Sequence, residues 1–172
     1  MNNAPIAVPG TGTGTSTGAP SNPYPSTINV TGVTGTVTKV TVTLHNLNHT
    51  FPSDVDVLLV GPGGQTVILM SDVGGETDAV NATLTFDDSA PSIGTSIVSG
   101  TFRPTNVGNG DPFPSPAPSA PFGSFLSVFN GIDPNGTWSL YVVDDAGGDS
   151  GNINGGWSLT ISTSAYSCPT TF

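Results

Sequence analysis

The chain predicts an all-β domain, an antiparallel jelly-roll-like β-sandwich. Three observations carry that expectation. Short runs dense in Val, Ile, Leu and Thr recur along the chain, turns rich in Gly, Pro, Asn and Asp separate them, and helical spacing of apolar residues is almost absent. Long connections interrupt the hairpins, which favours a jelly roll over a simple meander. A chain of 172 residues fits one domain and can bury a proper core.

Residues 1–23, MNNAPIAVPGTGTGTSTGAPSNP, are rich in Gly, Thr and Pro and lack sustained periodicity, so they read as a flexible linker. The sandwich is expected over residues 24–165, with a C-terminal tail at 166–172. In TVTKVTVTL (36–44), Val40, Val42 and Leu44 alternate with Thr41 and Thr43. Val37 is out of phase with that set, which marks a bulge or a strand start. DVDVLLV (54–60) runs into GPGG, a turn made of the two strongest breakers, and QTVILM (65–70) and NATLTF (81–86) follow as strands. In TWSLYVV (137–143), Trp138, Leu140 and Val142 share one face; in GWSLTIST (156–163), Trp157, Leu159 and Ile161 do the same. Both tryptophans thus share parity with aliphatic neighbours and are expected in the core. The segment 88–124 contains DPFPSPAPSAPFG, too Pro-rich for central strands, and should run over the surface or cover a sheet edge.

Composition narrows the functional classes. Charged residues make up 8% of the chain, far below the usual quarter or so. Lys39 and Arg103 are the only formal cations against 12 acids, for a net charge of -10. Nucleic-acid binding needs a basic surface to neutralise phosphates, and docking on anionic lipid needs the same, so neither partner is expected. Divalent cations are the natural partners of such a surface. Low charge with abundant Thr, Ser, Asn and Gly suits a secreted or cell-surface module. No run is long enough to span a bilayer, and no basic stretch followed by an apolar one marks a signal peptide, which reads as a fragment of something longer. The lone Cys168 excludes an intrachain disulfide. Asn-x-Ser/Thr sequons at Asn29, Asn48, Asn81 and Asn135 matter only if the source glycosylates.

Three acidic regions are candidates for chemistry. In VVDDAGGDSGNINGGW (142–157), Asp144, Asp145, Asp149 and Asn152 supply the hard oxygen donors that calcium prefers, and Gly147, Gly148 and Gly151 allow a tight path. The stretch departs from the EF-hand pattern, having Gly156 where that loop ends in Glu. A solvated turn would use the same residues. In HTFPSDVDVLLVGPGG (49–64), Asp54 and Asp56 stand two apart on an expected strand and so project from one face. Side by side they repel unless a cation or solvent lies between them, and a frayed strand start explains them equally well. A third region holds Asp72, Glu76, Asp78, Asp87 and Asp88, where turn chemistry again accounts for most of the pattern.

Catalysis finds little support. Adjacent acids such as Asp144 and Asp145 rarely flank a sugar across the gap that glycoside hydrolysis requires. His45 and His49 lack the helix and intervening glutamate of a two-histidine zinc pair, and no Gly-x-Ser-x-Gly elbow accompanies them.

HTFPSDVDVLLVGPGGQTVILMSD, followed by PNGTWSLYVVDDAGGDSGNINGGWSLTIST, resembles the P domain of proprotein convertases, the β-sandwich that follows the subtilisin-like domain of kexin- and furin-type proteases. The resemblance covers roughly Ile28 to Thr163. It implies a sandwich without its own active site that stabilises or tethers a neighbouring domain, a protease in the convertases. It also implies calcium at the family's acidic turns, which Asp54 and the group Asp144, Asp145 and Asp149 match best; Asp56 joins them as a candidate ligand. On this reading residues 142–157 are the hairpin joining the last two strands, at once turn and metal loop. The basic loop residues of eukaryotic members are missing, and these 172 residues include no catalytic domain ahead of the module. Binding of extracellular polysaccharide or protein is the alternative, with Tyr24 and Phe113 as exposed aromatics.

Overall fold

Two six-stranded sheets lie face to face in the computed structural model, which describes residues 1–11, 18–108, 110–111 and 113–164. In chain order the strands are β1 (Ile6–Val8), β2 (Ala19–Pro20), β3 (Ser26–Val30), β4 (Thr36–His49), β5 (Val55–Val60), β6 (Thr66–Ser71), β7 (Ala79–Phe86), β8 (Gly100–Phe102), β9 (Thr105–Asn106), β10 (Gly136–Asp144), β11 (Gly151–Ile153) and β12 (Trp157–Ser164). The first sheet runs β1-β11-β4-β7-β8, with β12 also on β4; the second runs β2-β10-β5-β6-β9, with β3 also on β10. The chain changes sheet repeatedly, as in a jelly roll. The long ladders are antiparallel, but β8 joins β7 and β9 joins β6 in parallel, so each sheet is mixed. Both strands come from the Pro-rich connection, where only two or three residues at a time are free to pair.

Alternation builds the core. Val40, Val42 and Leu44 of β4, Val55, Val57 and Leu59 of β5, Leu84 and Phe86 of β7 and Trp138, Leu140 and Val142 of β10 fill the space between the sheets. Trp138 and Trp157 are fully buried, and each indole N–H is satisfied: the first donates to the Pro134 carbonyl, the second to the Ser26 hydroxyl. The expected irregularity at Val37 is a bulge. Ser162 of β12 faces Lys39 and Thr163 faces Val37, which leaves Thr38 without an opposite residue. A second irregularity in β4 shifts its pairing to β7 between Leu44 and Leu47, around Asn46 at φ 58. It moves the inward parity from even to odd residues, so that Leu47 and His49, not Asn48, are buried.

The segment expected as linker is structural where it is described. Ile6 and Val8 are buried in the core, β1 pairs β11, and β2 pairs the end of β10. Three residues offer too little alternation to be seen in a Gly- and Pro-rich context. Asn2 bridges the two sheets. Its backbone pairs Trp157 of β12, while its side-chain amide donates to Ser26 and Thr27 of β3. Beyond Trp157 the outer edge of β12 has no strand partner among the described residues. Residues 12–17, the tail 166–172 and Cys168 lie outside the described residues.

The outer face of the second sheet carries a smaller cluster, Leu58, Ile68 and Tyr141, covered by Tyr24, Phe113, Ala117 and Phe122. Tyr24 and Phe113 are therefore half-buried rather than exposed: Tyr24 stands edge-on to Tyr141 with 4.9 Å between ring centroids, and Phe113 packs on Phe122. Among the described residues no helix is long and apolar enough to cross a membrane.

Candidate functional site

Residues 142–157 do not form a hairpin. β10 lies in the second sheet, whereas β11 and β12 lie in the first, so this stretch arches from one sheet to the other. The reason is the length of β10, which continues through Asp144 paired with Val55. Period-2 alternation then sends neighbouring aspartates to opposite faces. Asp144 follows Leu140 and Val142 inward, and Asp145 emerges outward beyond Tyr141 and Val143. Asp56, opposite Val143 on β5, also faces outward.

The inner group lies between the sheets. Asp144 is buried, and its Oδ2 stands 3.4 Å from Nε2 of His49, whose side chain is equally enclosed. Neither atom has a well-formed hydrogen bond. The other carboxylate oxygen accepts from the Ala146 N–H, and His49 Nδ1 is 2.9 Å from the Phe51 carbonyl. Burial pushes the Asp144 carboxyl up to about 6, with Asp145 and Asp149 adding repulsion. Burial also lowers the His49 imidazole, against the opposing pull of the Phe51 carbonyl, Asp54 and Asp149. Both shifts disfavour charge here. Asp54 lies not in a strand but in the 3-10 turn Pro52–Asp54, where burial, then Asp144 and Asp145, raise it to about 6. The arch is pressed against His49: a Cβ on Gly151 would meet His49 Cδ2 at 2.6 Å, so only glycine fits.

The outer group lies on the other side of the same sheet. Asp56 is 1% exposed, and its Oδ2 has no hydrogen-bond partner. The Ser71 hydroxyl at the end of β6 lies 2.6 Å from Asp56 Oδ1 and 2.8 Å from Asp111 Oδ1. Asn106 on β9 donates its amide to the other Asp111 oxygen at 2.8 Å. Burial raises Asp56 to about 8, and Asp145, Asp111 and Asp72 reinforce the rise against the Ser71 hydrogen bond. Asp72 and Asp145 are raised as well, each first by burial and then by neighbouring carboxylates.

The five expected ligands thus divide, with Asp54, Asp144 and Asp149 about the inner group and Asp56 and Asp145 about the outer one. The 71–90 region scatters: Asp72 joins the outer group, Asp87 pairs with Lys39, and Asp88 accepts the N–H groups of Leu126 and Ser127. Asn152 engages Asn48 across β11 and β4. The two histidines diverge, His45 turning to Ser158 at 2.8 Å. Ser71 and Asp111 carried no sequence signal of their own. Asp111 sits in the Pro-rich connection and reaches β6 across 40 residues.

Chemically, this is a set of carboxylate, hydroxyl and amide oxygens, donors suited to hard cations. Among the described residues no group of three or more His, Cys, Asp or Glu side chains stands close enough together to hold a metal ion. In comparison with known proteins, the chain matches no family model and no curated protein.

Proposed function

We propose that the chain is a non-catalytic, calcium-stabilised accessory module of a secreted or cell-surface bacterial protein, akin to the P domain of proprotein convertases. Its work is to stabilise or tether a neighbouring domain, a subtilisin-like protease in the family it resembles. One observation carries the calcium reading: Asp54, Asp56, Asp144, Asp145 and Asp149 crowd one end of the sheet without a single Lys or Arg ion pair among the described residues. Such crowding is costly without a cation to offset it. The non-catalytic reading is supported by the enclosure of His49 and Asp144, whose side chains no substrate can touch. The His45–Ser158 contact has no carboxylate to orient the imidazole among the described residues.

A ligand that binds only the folded state raises the melting temperature with its concentration. Calcium at millimolar level should therefore shift the melt upward relative to chelator. A curve that does not move rejects the calcium reading.

A second reading, recognition of an extracellular polymer, has its own support. Phe125 is 56% exposed beside a cleft of about 300 Å³ that is also lined by Arg103. Saturable binding on a glycan array, lost in Phe125→Ala, would favour it over a purely structural role.

A further inference from the structure

We propose that Asp56, Ser71 and Asp111 are the seat of a divalent cation of calcium type on the outer face of the second sheet, with Asp72 and Asp145 nearby as further negative charge. The inference rests on the calcium reading above and narrows it from five acids on both faces to one place, adding Asp72 and Asp111, which that set lacks.

The first argument is proton counting. A serine hydroxyl carries one hydrogen, yet Ser71 Oγ lies within bonding distance of two carboxylates, 2.6 Å from Asp56 and 2.8 Å from Asp111. With both acids ionised, one of these short contacts sets lone pair against lone pair. Either a proton or a cation must enter the group. The second argument is independent of the first: the other oxygen of Asp56 is buried and unpartnered. An orphaned carboxylate oxygen in the interior is among the costliest states a protein keeps, and it accounts for itself when a cation completes it.

The donor types suit a large, irregularly coordinated ion. Calcium takes about 6–8 oxygens from carboxylates, hydroxyls, carbonyls and water. Asp56 and Asp111 already face each other across Ser71, and Asn106 holds the second Asp111 oxygen in place. Asp72 reaches the same connection: a Cβ on Gly108 would lie 3.2 Å from its Oδ2. Gly108 and Gly110 both have positive φ, which lets the segment carrying Asp111 bend over the sheet. The half-exposed Asp111 and Asp145 leave room for water ligands. The inner group is a poorer seat, because the free oxygen of Asp144 already faces an imidazole nitrogen with which it can share a proton.

Calorimetric titration of calcium chloride into the full 172-residue chain, alongside melts in chelator and in calcium, separates the possibilities. Asp111→Asn and Asp56→Asn should weaken calcium about 10–100-fold and erase most of the calcium-dependent rise in melting temperature. Asp149→Asn, beside the inner group, should bind calcium as the parent does. Asp56→Asn has a further signature, since a neutral isostere relieves repulsion: it should melt higher than the parent in chelator. Should Asp149→Asn abolish binding while Asp111→Asn preserves it, the outer seat is wrong and the calcium reading stands. Should the parent chain bind no calcium, both fall together. Asp111 is half-buried in a loop, so its variant reports even if the substitution at Asp56 unfolds the chain.

Discussion

The two acidic groups share a sheet, and even a pair of adjacent residues, yet they behave as opposites. Inside, Asp144 faces a built-in counter-group, the His49 imidazole on the opposite sheet at 3.4 Å, close enough for one proton to be shared between them. Outside, Asp56 has carboxylates for neighbours, a serine with too few hydrogens and an oxygen with nothing to bind. The lesson is that burial alone does not make an acid structural or functional. What decides is whether the fold also supplies the counter-group. The inner pair has its counter-group within the fold, whereas the outer group has none among the described residues.

The largest effect that can break this contrast is at the inner pair. His49→Ala should cost about 3–5 kcal/mol, because it leaves Asp144 buried without a partner. That is on the order of 10 °C in melting temperature for a chain this size. The loss should be the same in calcium and in chelator; a loss that calcium repairs would make the inner group the ligand-dependent one.

Next comes pH. The Asp56 carboxyl, raised from 3.8 to about 8, keeps its proton in the folded state over a window in which the unfolded chain has released it. The unfolded state binds fewer protons there, so stability in chelator should fall as pH rises from about 4 to about 8 and level off beyond. Asp54 and Asp144, each raised to about 6, steepen the lower part of that fall. Melts across the range should show a flatter profile in Asp56→Asn, with a gain of about 1–3 kcal/mol at the alkaline end from removing an unsatisfied buried charge. An unchanged profile would mean that Asp56 is not the titrating group.

The smallest effect serves as the control. Lys39 pairs with Asp87 but is half-exposed, so Lys39→Ala should cost no more than about 1 kcal/mol and leave both the calcium response and the pH profile alone.

Most of the scaffold was legible because alternation is a local signal. The strand around Val40, the Pro-Gly turn after Val60 and the inward parity of both tryptophans all follow from residues two apart. The linker expectation failed for the same reason: Ile6 and Val8 make one alternation, which composition outweighs. The site was legible only in part. The acids were evident, but Asp144-Asp145-Ala-Gly-Gly looks like a turn from its first residue, which conceals that β10 extends through Asp144 and parts the two aspartates between faces. The inward turn of His49 depends on a bulge centred on Asn46 that no pattern announces. Asp111 meets Ser71 because β9 docks in parallel on β6, a pairing between segments far apart in the chain.

The bare edge of β12 has a bearing on how the molecules behave together. An unpaired strand edge is a template for another chain, and among the described residues Asn2 alone pairs with it, at its first residue. A net charge of -10 sets such molecules in mutual repulsion, which opposes edge-to-edge pairing. That repulsion vanishes near the isoelectric point of about 4.1. Without calcium, the acidity that best relieves the buried carboxylates is thus the acidity at which colloidal protection fails. Solubility and folding stability are pulled in opposite directions by one pool of aspartates, and on the proposal of a bound cation both would be kept at neutral pH.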